Sequence, residues 1–215
     1  MSVAVYEDGL RRDATVLIRY SDGTAVPLEV ERWHGPARGA DDSLLRRVDG
    51  AALDIGCGPG RLVAALAARG IPSLGIDIAP AAVGLTRQAG GRALQLSVFD
   101  DVPEAGRWSY AVLADGNIGI GGDPVRLLGR VAELLSPTGQ VLVELAAPRS
   151  GAGSRQMRLE NADGRVGAWF PWAHVASDEV GPLARQAGLE VRERWWATDR
   201  PVGRRTRWFA ALGHG

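Results

Sequence analysis

One short stretch, LDIGCGPGRL, holds the most specific chemistry in the chain: Asp54, Gly56, Gly58 and Gly60 stand where an apolar run, Ala51 to Gly56, comes to its end. Glycine turns the backbone sharply and, lacking Cβ, lets a ligand approach the main chain, while a helix beginning at Arg61 would aim its first N–H groups at the same space. The spacing then separates two kinds of ligand. A dinucleotide loop needs G-x-G-x-x-G, whose third glycine permits close helix–strand packing. Counted from Gly56 that third place is Arg61, which weighs against a nucleotide-dependent oxidoreductase. Cys57, inside the loop, has no base beside it and is expected to be a small packing residue. Side chains placed to act as a base near neutral pH are few, namely His34, His174 and Asp115. There is no lysine, so Schiff-base chemistry is excluded.

The elements that must position these residues follow from the pattern of apolar runs. AALDIG, PSLGIDI, RALQLSV, WSYAVLAD and GQVLVELAAP have the length and composition of buried strands. RLVAALAARG, PAAVGLTRQAG and PVRLLGRVAELL between them have that of helices, two closed by glycine and two opened by proline. Strands alternating with helices of that length imply parallel pairing through right-handed crossovers. After a helix over residues 178–187, LEVRERWWA and RTRWFAAL are joined by TDRPVGR and should pair antiparallel. The expected fold is therefore α/β, a doubly wound, mostly parallel seven-stranded sheet ending in an antiparallel hairpin. Before it, TVLIRY and AVPLEVER flank an Asp-Gly and predict an N-terminal β-hairpin, followed by a helix over 40–48. SGAGSRQ is expected as a flexible loop and the segment around Ala162-Asp163-Gly164 as another hairpin, an insertion at about residues 150–175. Residues 1–35 then form an appendage and 36–215 the main domain.

The motif D-x-G-x-G-x-G with its following strands resembles the class I S-adenosylmethionine-dependent methyltransferases, strongly over Asp41 to Leu145 and by topology at the C-terminal hairpin. The resemblance implies S-adenosylmethionine as cofactor. The loop of Gly56, Gly58 and Gly60 would wrap its methionine part and Asp54 would help hold its amino group directly or through water. Asp77, in LGIDIAP, would take both ribose hydroxyls, since a carboxylate accepts two hydrogen bonds at once. Ile78 would cover one adenine face, and Ser97, Val98 and Phe99 would meet the adenine; Ser97 departs from the Asp that the family often carries there. LADGNIGIGGD lies where the family brings the methyl group to its acceptor, which makes Ala114, Asp115, Gly116 and Asn117 site residues. The implied reaction is in-line attack of an acceptor O, N or C atom on the sulfonium methyl carbon, with alignment in a dry pocket contributing much of the catalysis. The third possibility is a non-catalytic protein that binds the same ligand.

Seven tryptophans in 215 residues is a high count, and AWFPWAH falls in the inserted segment, where Trp169, Phe170, Trp172 and His174 could form a lid over the acceptor. Trp33 and His34, in RWHG, offer a second approach from the N-terminal side. Arg+Lys and Asp+Glu balance at 25 each, so there is no basic excess for nucleic acid or an anionic membrane, and a small-molecule acceptor is expected. No apolar run has the length of a membrane span, and MSVAVYEDGLRRD lacks the layout of a signal peptide, so a cytoplasmic location is expected. One cysteine cannot supply a zinc site of the Cys-rich kind, and no metal is expected.

Overall fold

A computed structural model describes residues 3–11, 15–199 and 205–215. The chain opens with a helix, α1 (Val3–Arg11), and two short strands, β1 (Val16–Tyr20) and β2 (Ala25–Pro27). Helices α2 (Glu31–His34) and α3 (Ala40–Leu45) lead into β3 (Ala52–Ile55), α4 (Arg61–Ala68), β4 (Ser73–Asp77), α5 (Pro80–Gln88) and β5 (Ala93–Gln95). Then follow β6 (Trp108–Leu113), a 3-10 segment (Asn117–Gly122), α6 (Pro124–Leu134) and β7 (Leu135–Leu145). The chain ends with β8 (Ala152–Asn161), β9 (Phe170–Val175), α7 (Val180–Gln186), β10 (Leu189–Thr198) and β11 (Thr206–His214).

Every residue of β3 and β4 is buried, as a parallel strand covered on both faces must be. They sit inside a seven-stranded sheet of order β10-β11-β7-β6-β3-β4-β5. From β7 to β5 the neighbours are parallel; β11 runs antiparallel to both β7 and β10, which gives the expected terminal hairpin. One face packs Leu127, Leu128 and Val131 of α6 on Ile55, Leu113 and Val143. The other packs Leu44 of α3 and Leu62 and Leu66 of α4 on Leu142 and Phe209. The sheet order reverses at β3, between β4 and β6, so a crevice opens above the ends of these strands, where α/β sheets bind ligands.

A second, antiparallel sheet of order β2-β1-β8-β9 lies outside the first. It unites two segments that the sequence presents as separate, because β1 pairs with β8, setting Ile18 opposite Leu159 and Tyr20 opposite Met157. The pairing spans well over a hundred residues and leaves no local signal. Residues 152–156, expected as loop, are the first half of β8 and pair with β9. They are exposed and rich in glycine and serine, so no apolar alternation marks them. The second arm of the N-terminal hairpin stops at Pro27, and Glu31 and Arg32, expected to end that strand, instead open the helix Glu31–His34. The helix expected over 40–48 is Ala40–Leu45, and residues 200–204 of the TDRPVGR connection lie outside the described residues.

Helix α1 has no counterpart in the sequence reading. Its Leu10 packs on Ala79 and Ala82 at the start of α5, and Glu7 Oε1 accepts the backbone N–H of Ala81 at 2.8 Å, capping that helix. Asp8, one residue on, accepts from Asn161 Nδ2 at 2.9 Å and from Arg165. This helix therefore braces the second sheet against the first. Among the described residues, no helix is long and apolar enough to cross a membrane.

Candidate active site

Gly56, Gly58 and Gly60 all take positive φ, at 71°, 54° and 86°. A Cβ on Gly56 would stand 2.7 Å from Asn117 Nδ2, and one on Gly60 would stand 2.5 Å from Thr86 Oγ1, so these two glycines are enclosed by protein. Gly58 is different: its nearest neighbour would be the Tyr6 hydroxyl, at 3.6 Å, and it lines the crevice. Asn117 pins the loop from the other side, donating from Nδ2 to the carbonyls of Ile55 at 2.8 Å and Gly56 at 2.9 Å. Asp77 is locked by two backbone N–H donors, Gly58 at 3.0 Å and Ala79 at 2.9 Å, one to each carboxylate oxygen. A carboxylate has about four acceptor sites, so one remains on each oxygen. Burial pushes its proton affinity up.

Asp54 is 3% exposed, and its carboxylate has no hydrogen-bond partner among the described residues. Burial, reinforced by the charges of Asp115, Asp77 and Asp41 and opposed by Arg61, pushes its pKa up to about 7. Cys57 is buried against Thr86 Oγ1 at 3.6 Å, and burial raises its pKa, which keeps the thiol protonated.

The crevice above these residues encloses about 1140 Å³. Sites for one drug-sized ligand span roughly 300–1,000 Å³, so this one has room for two. Ile78, Ser97, Val98 and Phe99 line it beyond the ends of β4 and β5, and Tyr6 and Trp33, edge to face at 6.3 Å, line the side above the glycine loop. The second sheet forms the roof, with Ile18, Tyr20, Met157, Leu159, Phe170 and Trp172 among the lining residues.

Beside the loop lies a buried network of alternating charges. Arg61 donates to both oxygens of Asp41 at 2.8 and 2.9 Å and also reaches Asp115. Arg207, with a side chain 1% exposed, bridges Asp41 and Glu144, each at 2.6 Å. Arg32 completes the set on Asp115, whose backbone N–H donates to Glu144 Oε2 at 2.6 Å. Burial would raise the pKa of Asp115, but Arg61 and Arg32 overcome it and hold the carboxyl below its usual range.

The structure brings Asp77, Gly56, Gly58, Ile78, Ser97, Val98, Phe99, Asp115, Asn117, Trp33, Trp172 and His174 to one cavity. Asp54, Gly60 and Ala114 lie in or next to the loops that wall it without lining it. His34 belongs to α2 but not to the lining, and Trp169 is 44% exposed outside it, with the Arg158 guanidinium 4.7 Å from its ring. Sequence reasoning missed Tyr6, Arg32, Glu144 and Arg207. Arg61 did leave a signal, because it stands where a dinucleotide loop would need glycine.

The glycines of NIGIGGD serve the roof. A Cβ on Gly119 would collide with Trp172 Nε1 and the Ala173 carbonyl, and one on Gly122 would meet Pro171 Cβ at 2.5 Å. Strand β9 is thus seated directly on the 3-10 segment, and its Trp172 ring is fixed edge to face on Phe170 at 6.2 Å.

A family model described as a methyltransferase domain matches residues 34–194. No curated protein matches the chain. Among solved structures, the chain is similar to an S-adenosylmethionine-dependent methyltransferase from Bacteroides fragilis in complex with S-adenosylhomocysteine, at 20% identity and a TM-score of 0.77, over 99% of this chain and 94% of that one. It is also similar to the Burkholderia thailandensis 1,6-didemethyltoxoflavin N1-methyltransferase, at 18% identity and TM-score 0.61, over 99% and 89% of the two chains. The glycopeptide N-methyltransferase MtfA, at 17% identity and TM-score 0.58, covers 79% of this chain with 89% of its own.

Proposed function

The chain belongs to the methyltransferase domain family, and from that premise we propose that it moves a methyl group from S-adenosylmethionine to a small-molecule acceptor bound in the same cavity. The observation that carries the cofactor assignment is the charge of the glycine-loop half: Asp54 and Asp77 are buried there, and neither has an ion-pair partner among the described residues. A cationic amine and a ribose diol fit these two carboxylates. A pyrophosphate would be repelled by both, and the Arg61 guanidinium that could meet it is already committed to Asp41 and Asp115. When bound, the cofactor supplies a methyl group made electrophilic by its sulfonium and departs as S-adenosylhomocysteine.

The residues of this chain then have distinct tasks. Asp77 holds the diol with the lone pairs its backbone donors leave unused. Asp54, which stands in the wall behind the lining, receives the amine directly or through water, and Gly58 offers a main chain without side-chain bulk. Ile78, Val98 and Phe99 sandwich the base, with Ser97 at its edge. Asp115, neutralised by arginines, positions the loop after β6 and does not take a proton. His174 is the base of this reading, because Phe170, Trp172 and His174 alternate along β9 and so share a face. The Ala146 N–H donates to the Val175 carbonyl at 2.8 Å, which holds that end of β9 beside the end of β7. His174 takes the proton of an acceptor O–H or N–H as the new bond forms, and the roof excludes water.

Asp77→Ala should weaken S-adenosylmethionine binding at least tenfold, since two charge-assisted bonds of about 1.5–3 kcal/mol each are removed. Calorimetric titration measures it, and an unchanged dissociation constant in a folded variant takes Asp77 out of the ribose site. Formation of S-adenosylhomocysteine with candidate acceptors tests turnover.

Binding should also depend on pH through Asp54. An acid whose folded pKa stands near 7, above the unfolded value of about 3.9, favours the native state most below pH 4 and loses that contribution as pH rises to 7. An amine ligand has the opposite preference, since it binds the ionised form. Cofactor affinity should therefore climb by up to about tenfold per unit from pH 5.5 to 7 and then level, and Asp54→Asn should flatten the rise. A flat profile in the unaltered protein would show that Asp54 does not meet the amine.

A further inference from the structure

We infer that the methyl acceptor is an uncharged, flat aromatic molecule with one O–H or N–H, a conclusion that rests on the cofactor occupying the glycine-loop half. The first support is the state of the charges on the cavity wall. Glu29 is paired with Arg205 at 2.9 Å on the rim, Arg32 and Arg61 with Asp115, and Glu144 with Arg207 at 2.6 Å. Asp77 is held by the loop N–H groups and left to the diol. Among the described lining residues each full charge already faces an opposite charge or the loop N–H groups, and Arg32 Nη1, buried with no hydrogen-bond partner, is a donor that a carboxylate or phosphate would have to share with Asp115, while an ammonium would have to break an existing pair.

The second support is the roof. Ile18 and Leu159 lie opposite each other, as do Tyr20, Met157 and Phe170 across three strands, and directly opposed residues share a sheet face. That face is apolar and aromatic apart from Arg155, opposite Trp172, which is largely exposed and paired with Asp22 at 3.7 Å, and it offers little to the several hydroxyls of a sugar, each of which needs a partner when buried. The third is rigidity. Trp172 is backed by Gly119 with no space between them and braced by Phe170, so the ring is a fixed wall; an aromatic face against a fixed ring suits a planar guest. The fourth is the position of the imidazole. His174 shares the Trp172 face and stands opposite Gly153, which adds no side chain, so the imidazole is available to orient and deprotonate an acceptor atom.

The test is calorimetry on the full chain, first with S-adenosylhomocysteine and then, on the loaded protein, with 2-naphthol, with 6-hydroxy-2-naphthoate and with glucosamine. The naphthoate differs from the naphthol only by a carboxylate. The expected result is 2-naphthol binding at least tenfold tighter than the other two. Trp172→Ala should weaken naphthol at least tenfold while S-adenosylhomocysteine affinity stays within threefold. Trp172→Leu keeps apolar volume against Gly119 should the alanine variant collapse, and it should lose at least threefold. Naphthoate or glucosamine binding as tightly as naphthol, no naphthol binding at millimolar concentration, or an unchanged naphthol affinity in a folded Trp172 variant overturns the proposal. Failure of the cofactor reading shows separately, as a missing first isotherm. The naphthol series is then run on the unloaded protein, where the wall alone should give the same order.

Discussion

Arg207→Met should be the most destabilising single substitution in the buried network, lowering stability by about 3–5 kcal/mol. The arginine side chain is 1% exposed and bonds Glu144 through two nitrogens, at 2.6 and 2.8 Å, as well as Asp41 at 2.6 Å. Methionine fills much of the same volume but leaves Glu144 without a cation and Asp41 with only Arg61. The remaining carboxylates must then be buried unpaired or take up protons. At about 2–4 °C per kcal/mol for a chain of this size, the melting temperature should fall by roughly 6–20 °C. Glu193→Gln provides the contrast: its bond to Arg47 is on the surface, and such pairs contribute about 0–1 kcal/mol. The double variant Arg207→Met with Glu144→Gln should recover part of the loss by removing the stranded charge. If Arg207→Met melts within a degree of the unaltered protein, the network is not holding the site. The same residues give the acid limb of stability. Burial alone would raise Asp41, yet Arg61 and Arg207 hold it at about 2, so its contribution is full above the unfolded carboxylate value near 4 and is lost as pH falls toward 2.

That network explains which parts of the site were legible in the sequence. The seven-stranded sheet was readable because each strand and helix carries its own period, and Asp54, the three glycines and Asp77 could be placed because they sit at the ends of those runs, while the roles proposed for them come from the family resemblance. Arg207 was not, since RTRWFAAL looks like an alternating strand with solvated arginines, and nothing local distinguishes the buried Arg207 from the exposed Arg194. What buries it is the insertion of β11 between β7 and β10, which sets Trp208 opposite Leu145 and Phe209 opposite Glu144. The roof was lost for the same reason. TVLIRY and the C-terminal half of β8 each show strand character, but their pairing is a long-range contact that needs the first sheet in place to bring them together. Tyr6 and the helix that carries it are nine residues interrupted by Gly9, too short to register as a periodic pattern, and the helix is held by its contacts with α5 and β8. Trp169 and Trp172 stand three residues apart in one aromatic cluster, and only the strand's pleat and Gly119 decide that Trp172 is in the cavity and Trp169 outside it.

Gly58→Val should abolish detectable cofactor binding while leaving the fold in place. Gly58 has φ of 54°, a conformation that a β-branched residue enters only at a cost of roughly 1–3 kcal/mol, so a moderate fall in melting temperature is part of the expectation. The larger effect is local. The added methyl groups would project into the crevice beside Tyr6, and the Gly58 N–H is one of the two donors that fix the Asp77 carboxylate, so displacing this peptide also misplaces the diol site. Loss of both the clearance and the carboxylate geometry should weaken S-adenosylmethionine by at least a hundredfold, about 2.7 kcal/mol or more. Gly84→Ala supplies the control, since Gly84 lies in α5 with nothing within 4 Å of an added Cβ and should leave affinity unchanged. Gly58→Ala separates the two causes: it brings most of the backbone strain with little of the bulk, so it should bind more weakly than the unaltered protein but better than valine. If folded Gly58→Val titrates with normal affinity, the cofactor does not lie against this loop. The unpartnered Asp54 carboxylate would then have to be satisfied by something other than its amine.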